Sequence, residues 1–187
     1  MTIIGSYLVP IKVLEAGMQT AVLAPATKED MPTDWSCSWI DLWNQADFEC
    51  EAIIKLSYQQ QTLGLIKFGL YPYLGNDFPE PEYLEILNLE AAPKSARSVN
   101  PVGFWLIWYA VDIALKVCSC ESDGTLIRLD AFEDKIPYYR DKVQMDSVGW
   151  ATIAPGEEGY AFRFTRQGAE EFFERQTSFY GSPTRTF

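Results

Sequence analysis

The loop that precedes the most apolar run of the chain carries residue types that can bind an anion. A strand-like run, Tyr83–Ala91, leads through Ser, Arg and Asn residues into the helix-like run Val102–Leu115. Asn100 is a favoured N-cap, Pro101 suits the first helical position, and Gly103 admits a close backbone or ligand approach. The first N–H groups of a helix lack intrahelical partners and carry the positive end of its dipole, so this helix start predicts an anion site.

Glu85 is a second candidate, because it stands within an otherwise apolar strand. A carboxylate in such surroundings forms an ion pair, has a raised pKa that suits base catalysis, or lies at a solvent-filled cleft. Strand alternation predicts two faces, with Tyr83, Glu85, Leu87 and Leu89 on one and Leu84, Ile86, Asn88 and Glu90 on the other.

The composition removes several other kinds of site. The 187 residues include no histidine, which excludes histidine-based triads and zinc sites of the usual kind. Proton transfer therefore falls to acidic, Tyr, Cys or Lys side chains or to water. Cys118 and Cys120 form a poor zinc pattern, so no metal is expected, and all four cysteines are predicted to be free thiols. The first residues lack the pattern of a signal peptide, which predicts a cytoplasmic location.

The net charge of −11 bears on the partners of the protein. It would repel phosphate backbones and anionic membrane surfaces, so neither a nucleic acid nor a membrane partner is expected. An acidic surface weakly favours a cationic substrate, although a solvated surface explains the charge equally well.

The most apolar helix contains Asp112 and is too short to span a bilayer. Exposed strand edges would allow two copies of the chain to pair as a homodimer.

The order of the elements predicts one mixed α/β domain over residues 1–187. The strands Tyr83–Ala91 and Thr125–Asp130 are joined by the apolar helix, and a helical crossover of this kind connects parallel strands. The other predicted elements are strands at Ser6–Glu15 (an edge strand because of Pro10), Met18–Ala24, Phe48–Tyr58, Thr62–Tyr71, Ser147–Ala154 and Tyr160–Thr165, and helices at Thr33–Gln45, Glu133–Lys142 and Gly168–Arg175, followed by a loosely ordered tail, Thr177–Phe187.

Three stretches resemble the GNAT superfamily of acyl-CoA N-acyltransferases, within a region from about Trp35 to Gln176. YLEILNLEAAP, from Tyr83, is similar to the family's central strand, and NPVGFWLIWYAVDIAL, from Asn100, to the helix after its pyrophosphate loop. LIRLDAFEDKIPYYRDKVQM, from Leu126, is similar to its later strand and helix. The resemblance implies a mostly antiparallel central sheet with a V-shaped splay, flanked by helices, in a domain whose core covers about residues 35–176. The implied activity is transfer of an acetyl group from acetyl-CoA to a small-molecule primary amine by direct attack.

The resemblance also implies roles for individual residues. Tyr139 would protonate the departing thiolate, and Glu85 would deprotonate the amine, often through water. The acyl-CoA arm would pair with backbone near Leu89 and Ala91, and the pyrophosphate would lie on backbone N–H groups of the loop and helix start. The residues assigned to CoA are therefore Leu89, Ala91, Arg97, Ser98, Asn100, Val102, Gly103 and Phe104.

The loop departs from the family's pattern, which reads Gln/Arg-x-x-Gly-x-Gly/Ala. The corresponding run here extends from Ser98 to Gly103, and Pro101 takes the place of the first glycine and removes one N–H donor. Two hypotheses follow. Either CoA binds through an altered loop in which Arg97 compensates, or the chain is a catalytically silent GNAT-like module that binds a metabolite or a protein partner.

Overall fold

The computed structural model describes residues 4–72, 80–93, 95, 98–121, 123–154 and 156–186. The strands are β1 Ser6–Val13, β2 Gly17–Pro25, β3 Glu51–Tyr58, β4 Gln61–Tyr71, β5 Tyr83–Ala91, β6 Val99–Asn100, β7 Ile127–Ala131, β8 Asp146–Ala154, β9 Glu157–Phe164 and β10 Thr184–Thr186. The helices are α1 Trp39–Asn44, α2 Gly103–Val117 and α3 Arg166–Tyr180, with 3₁₀ turns at Lys28–Asp30 and Glu133–Lys135 and a π-helical segment at Tyr138–Val143.

All ten strands belong to one sheet, in the order β10-β1-β2-β3-β4-β5-β7-β9-β8, with the two-residue β6 paired to β1. The pairings are antiparallel except that of β5 with β7, which is parallel and is connected through α2. The predicted mixed, mostly antiparallel sheet with one helical crossover is therefore confirmed. The sheet also extends beyond the predicted core of residues 35–176, because β1, β2 and β10 lie outside it.

The sheet separates two apolar layers. On one face, which we call the α2 face, α2 and α3 pack against the strands and against each other, and the ring of Trp108 on α2 stacks on Phe173 of α3 with centroids 5.0 Å apart. On the other, the α1 face, a smaller cluster forms around the fully buried Trp39 of α1. Among the described residues no helix combines the length and the apolarity that crossing a membrane requires.

Both ends of the chain join the sheet differently from the prediction. β1 is not an edge strand, because β2 flanks it on one side and β10 and β6 on the other. Pro10 lies opposite neither β10 nor β6, so its missing N–H interrupts no ladder there, and its carbonyl accepts a hydrogen bond from Trp105 Nε1 at 2.7 Å. The prediction of a loose tail is wrong, since α3 continues to Tyr180 and residues 184–186 pair with β1.

The predicted helix Thr33–Gln45 is also too long. Helix α1 covers only Trp39–Asn44, and Trp35 precedes it in a bend. The reason is a side chain from β5. The carboxylate of Glu90 accepts hydrogen bonds from the backbone N–H groups of Ser36 and Cys37 at 2.7 and 3.1 Å, which takes the place of a helical turn.

Candidate active site

The strands β5 and β7 separate part of the way along their length. They pair only where Leu84–Ile86 lies beside Ile127–Leu129, and β5 then continues to Ala91 and β7 to Ala131 without pairing to each other. The predicted V-shaped splay is therefore present. A bulge lies at its start, because Phe68 of β4 opposes Ile86 and Lys67 opposes Asn88, which leaves Leu87 as an extra residue.

The bulge reverses the face of the sheet on which each later residue of β5 lies. Beyond it, Leu89 opposes Ile66, which belongs to the core of the α2 face, and Glu90 opposes Leu65, which belongs to the α1-face cluster. The predicted alternation is therefore wrong after Ile86, because one extra residue shifts the period of two. The corrected arrangement places Leu84, Ile86, Leu89 and Ala91 on the α2 face, and Glu85, Asn88 and Glu90 on the α1 face.

A cleft of about 610 Å³ opens on the α2 side of the splay. It brings together seven of the residues that the sequence assigned to acyl-CoA chemistry, namely Leu89, Ala91, Asn100, Val102, Gly103, Phe104 and Tyr139. Ser98 lies elsewhere, in a depression of about 280 Å³ beside the turns that follow β1 and β3. Arg97 lies outside the described residues. The cleft is also lined by Pro101, Lys135, Tyr138 and Tyr180, none of which the sequence assigned to CoA.

The start of α2 faces this cleft. The prediction that Asn100 caps the helix and that Pro101 is its first residue is wrong, since Asn100 pairs with Lys12 as part of β6 and the helix begins at Gly103. Among the described residues, no side chain caps this helix start, and its first turn contains no acidic residue. The first N–H groups and the positive end of the dipole are consequently neither capped nor neutralised by the helix's own residues, which suits an anionic ligand.

Two glycines allow this close packing at the start of α2. A Cβ on Gly64 of β4 would lie 2.5 Å from Val102 and 2.9 Å from Leu106, so the helix start rests directly on the β4 backbone. A Cβ on Gly103 would lie 2.5 Å from the hydroxyl of Tyr138. Tyr138 therefore reaches the helix start across the cleft because the first helical residue has no side chain.

Tyr139 is the better buried member of the tyrosine pair. Its ring packs edge-on against Tyr138 at 5.1 Å and beside Phe162 at 5.7 Å, and the side chain lines the cleft. Burial raises the pKa of Tyr139 above its ordinary value of 10.0, so the hydroxyl keeps its proton at neutral pH. The lining of the cleft therefore includes a protonated phenol hydroxyl at neutral pH.

Glu85 lies on the other face of the sheet, beside Arg128, one row before the last paired row of β5 and β7. Its Oε1 is 3.4 Å from Nε of Arg128, and Asp130 is the next carboxylate along β7 on the same face. Burial raises the pKa of Glu85 above its ordinary value of 4.5, with a further increase from Asp130 and an opposing decrease from Arg128. A carboxylate placed at the closed end of the splay can accept a proton from a group that approaches through the α1 face.

The sequence analysis assigned no role to three residues that line the cleft or to one that anchors β5. The three are Lys135, Tyr138 and Tyr180, and the fourth is Glu90. Lys135 pairs with its neighbour Asp134 and supplies a cation to the cleft, while Tyr180 packs against Phe104 with centroids 6.4 Å apart. The pair Tyr138-Tyr139 was visible in the sequence, but only the structure shows which of the two faces the helix start. Lys135 and Tyr180 carried no local signal, because they reach the cleft from elements distant in the chain.

Several solved structures share this architecture at low sequence identity. Aminoglycoside acetyltransferase AAC(6')-Ib, in complex with coenzyme A and kanamycin, aligns with a TM-score of 0.56 and 14% identity over 81% of this chain and 98% of that chain. An uncharacterised protein of Bacillus halodurans aligns with a TM-score of 0.59 and 13% identity over 91% and 97%. A Desulfovibrio desulfuricans protein, described as an acetyltransferase of the GNAT family by assignment, aligns with a TM-score of 0.53 and 10% identity over 78% and 99%.

In sequence alone, no protein-family model matches the chain and no curated protein matches it. The likeness therefore concerns the backbone, and it covers most of this chain and nearly the whole of each related structure. In the described part of this chain, that backbone is one mostly antiparallel sheet with a parallel pair, β5 with β7, that splays apart, and with flanking helices. The chain has the fold of the GNAT acetyltransferases.

Proposed function

We propose that this protein is an N-acetyltransferase that moves the acetyl group of acetyl-CoA to a primary amine. The observation that carries the proposal is the cleft at the splay, which joins the free backbone edge of β5 to an uncapped helix start. An extended pantetheine arm suits the first of these and a pyrophosphate suits the second. AAC(6')-Ib, which shares the fold, has been crystallised with coenzyme A and kanamycin, an observation that supports the same donor here.

The CoA arm would pair with backbone near Leu89 and Ala91. Its pyrophosphate would accept hydrogen bonds from the N–H groups at Val102, Gly103 and Phe104, beside the ammonium of Lys135. Pro101 precedes the helix, so its missing N–H removes no donor from the first turn itself. This division of roles supports the hypothesis that CoA binds through an altered loop.

In the reaction, the lone pair of the amine attacks the thioester carbonyl carbon, a C–N bond forms, and the C–S bond then breaks. Glu85 would accept the proton that the amine loses, directly or through water, and Tyr139 would give its proton to the departing thiolate sulfur. Backbone N–H groups of β5 beyond Ile86 would polarise the carbonyl. Much of the rate enhancement would come from holding the two reactants together.

Calorimetric titration with CoA and acetyl-CoA tests the donor, and release of free CoA thiol in the presence of amines tests the transfer. Saturable binding together with amine-dependent thiol release is expected. Absence of binding heat at millimolar CoA would rule out the hypothesis that the protein is a CoA-dependent enzyme. That result would favour the alternative, a catalytically silent module, which is supported by the pairing of Val99–Asn100 with β1 in the place of a glycine-rich loop.

A further inference from the structure

Two arginines lie directly opposite each other on the α1 face of the sheet. Arg128 of β7 and Arg163 of β9 are register partners, and their neighbours Ile127, Leu129, Phe162 and Phe164 belong to the core of the opposite face. Like charges at directly opposed strand positions destabilise a sheet. Each arginine also has a carboxylate as its other register partner, Glu85 for Arg128 and Asp146 for Arg163, so the two guanidinium groups are adjacent between flanking acids.

Neither guanidinium donates a hydrogen bond to another group in the described part of the protein. Arg163 makes no ion pair and no side-chain hydrogen bond there. Arg128 lies 3.4 Å from Glu85 and 3.8 Å from Asp130, both too long for good hydrogen bonds, and donates none. The two side chains line a cleft of about 330 Å³ together with Tyr83, Thr125 and Val148. Each planar fork can therefore present paired N–H donors to a ligand in this cleft.

The position of the pair ties it to the reaction. One row across the sheet reads Glu51, Gly69, Glu85, Arg128, Arg163 and Asp146. Glu85 is therefore next to Arg128 in the row immediately before the last paired row of the splay, Ile86 with Leu129. Because neighbouring strands are about 4.8 Å apart, an amine held beside Glu85 has the two guanidinium groups within about one or two strand spacings.

We propose that the acceptor carries a carboxylate as well as its amine, and that Arg128 and Arg163 bind this carboxylate while the amine lies beside Glu85. The proposal rests on the proposed function for the identity of the amine as acceptor. It narrows the acceptor from a simple cationic amine to an amino acid or a related molecule. Asp130 and Asp146 border the site and disfavour a second anionic group on the ligand.

The test uses two matched series of ligands, titrated calorimetrically into the full-length protein with and without saturating CoA. One series runs from β-alanine to 6-aminohexanoate, and the other from propylamine to hexylamine, in which a methyl group replaces the carboxylate. We expect at least one ω-amino acid to bind about tenfold or more tightly than its matched alkylamine, as expected for a charge-assisted bidentate pair. Arg163→Gln should abolish this preference, and Arg163→Lys should restore only part of it, because an ammonium cannot form the fork.

Arg185→Gln is the matched control, because it removes the same charge from an exposed residue of β10 at the opposite end of the sheet. A carboxylate preference that survives in Arg163→Gln, or that is absent throughout the wild-type series, would overturn the proposal. Binding of aminoalkyl phosphates alone would overturn it as well. CoA binding is measured in the same samples, so loss of the transferase hypothesis and loss of the carboxylate site give separate results. Thermal unfolding of each variant tests whether the fold is retained.

Discussion

The hydroxyl of Tyr138 lies against Gly103, the first residue of α2, so closely that a Cβ on Gly103 would be 2.5 Å from the hydroxyl oxygen. The two residues belong to segments on opposite walls of the cleft. Their approach sets how near the tyrosine pair comes to the uncapped helix start, and therefore sets the width of the cleft where we place the pyrophosphate.

Gly103→Ala should weaken CoA binding, because the new methyl group must displace Tyr138 or shift the helix start. Overpacking of this kind costs about 1–3 kcal/mol, partly offset by the better helix propensity of alanine. The second change, Tyr138→Phe, removes the hydroxyl that the methyl group would meet, so the double variant should recover CoA affinity. Calorimetry with CoA measures both. Equal CoA affinity in the wild type, the single variant and the double variant would show that the approach of the two residues does not shape the site.

Tyr139→Phe should lower kcat by about 10²-fold and leave CoA affinity unchanged, because only the proton donor to the thiolate is lost. The raised pKa caused by burial keeps Tyr139 protonated above pH 10.0, so the wild type should show no loss of this acid through the neutral range. Tyr138→Phe is the matched variant and should reduce kcat less. An equal loss in the two tyrosine variants would remove the assignment of Tyr139 as the acid.

Glu85→Gln should lower kcat/KM by about 10²-fold and remove the acidic limb of the pH profile. Burial, together with Asp130, raises the pKa of Glu85 above 4.5 despite Arg128. A base acts only when it is deprotonated, so wild-type activity should fall as the pH falls through that raised pKa. Glu174→Gln, at an exposed position on α3, is the control. An unchanged acidic limb in Glu85→Gln would assign the limb to another group.

Glu90 joins β5 to the segment before α1 through three hydrogen bonds. Its carboxylate accepts from the N–H groups of Ser36 and Cys37 and from the indole of Trp39 at 2.8 Å. Glu90→Gln should reduce the free energy of unfolding by about 1–3 kcal/mol, because hydrogen bonds to a charged acceptor are replaced by weaker ones and an amide N–H₂ meets donors. Urea unfolding measures this loss. Glu49→Gln, an exposed change of the same type, should be near neutral, and similar values for the two variants would contradict the role of Glu90.

The sequence was sufficient to predict most of the strands along the chain and the helical crossover, because these follow from apolar periodicity and from the length of α2. It failed at Leu87, where the extra residue shifts one face of β5 onto the other. A signal was present, since the apolar pair Ile86-Leu87 breaks the alternation and the polar residues are spaced by three and then two. A bulge is fixed by the partner strand, however, so a single strand read alone does not require one.

The candidate site was recovered in part for a related reason. Residues on β5 and at the start of α2 are close in the chain, and the cleft contains seven of the assigned residues. The helix start itself was placed wrongly, because Asn100 and Pro101 carry good local signals that pairing with β1 overrides. Arg128 and Arg163 are adjacent only through strand pairing, so their relationship to Glu85 required the register of three strands.

The cysteines provide a test of direct attack, since an acetyl-cysteine intermediate would need a reactive thiol. All four are free, and burial, aided by Cys120 against the opposing effect of Arg166, raises the pKa of Cys118 to about 12. Burial, followed by Glu90, raises the pKa of Cys37 to about 11. Both thiols should therefore be protonated at neutral pH and react slowly with iodoacetamide in the folded protein, and rapidly in urea. Mass spectrometry of the labelled protein, with acetyl transfer assayed before and after labelling, should show that turnover persists. Acetylation of Cys118 or Cys37 during turnover, with loss of activity on labelling, would replace direct attack by a two-step transfer.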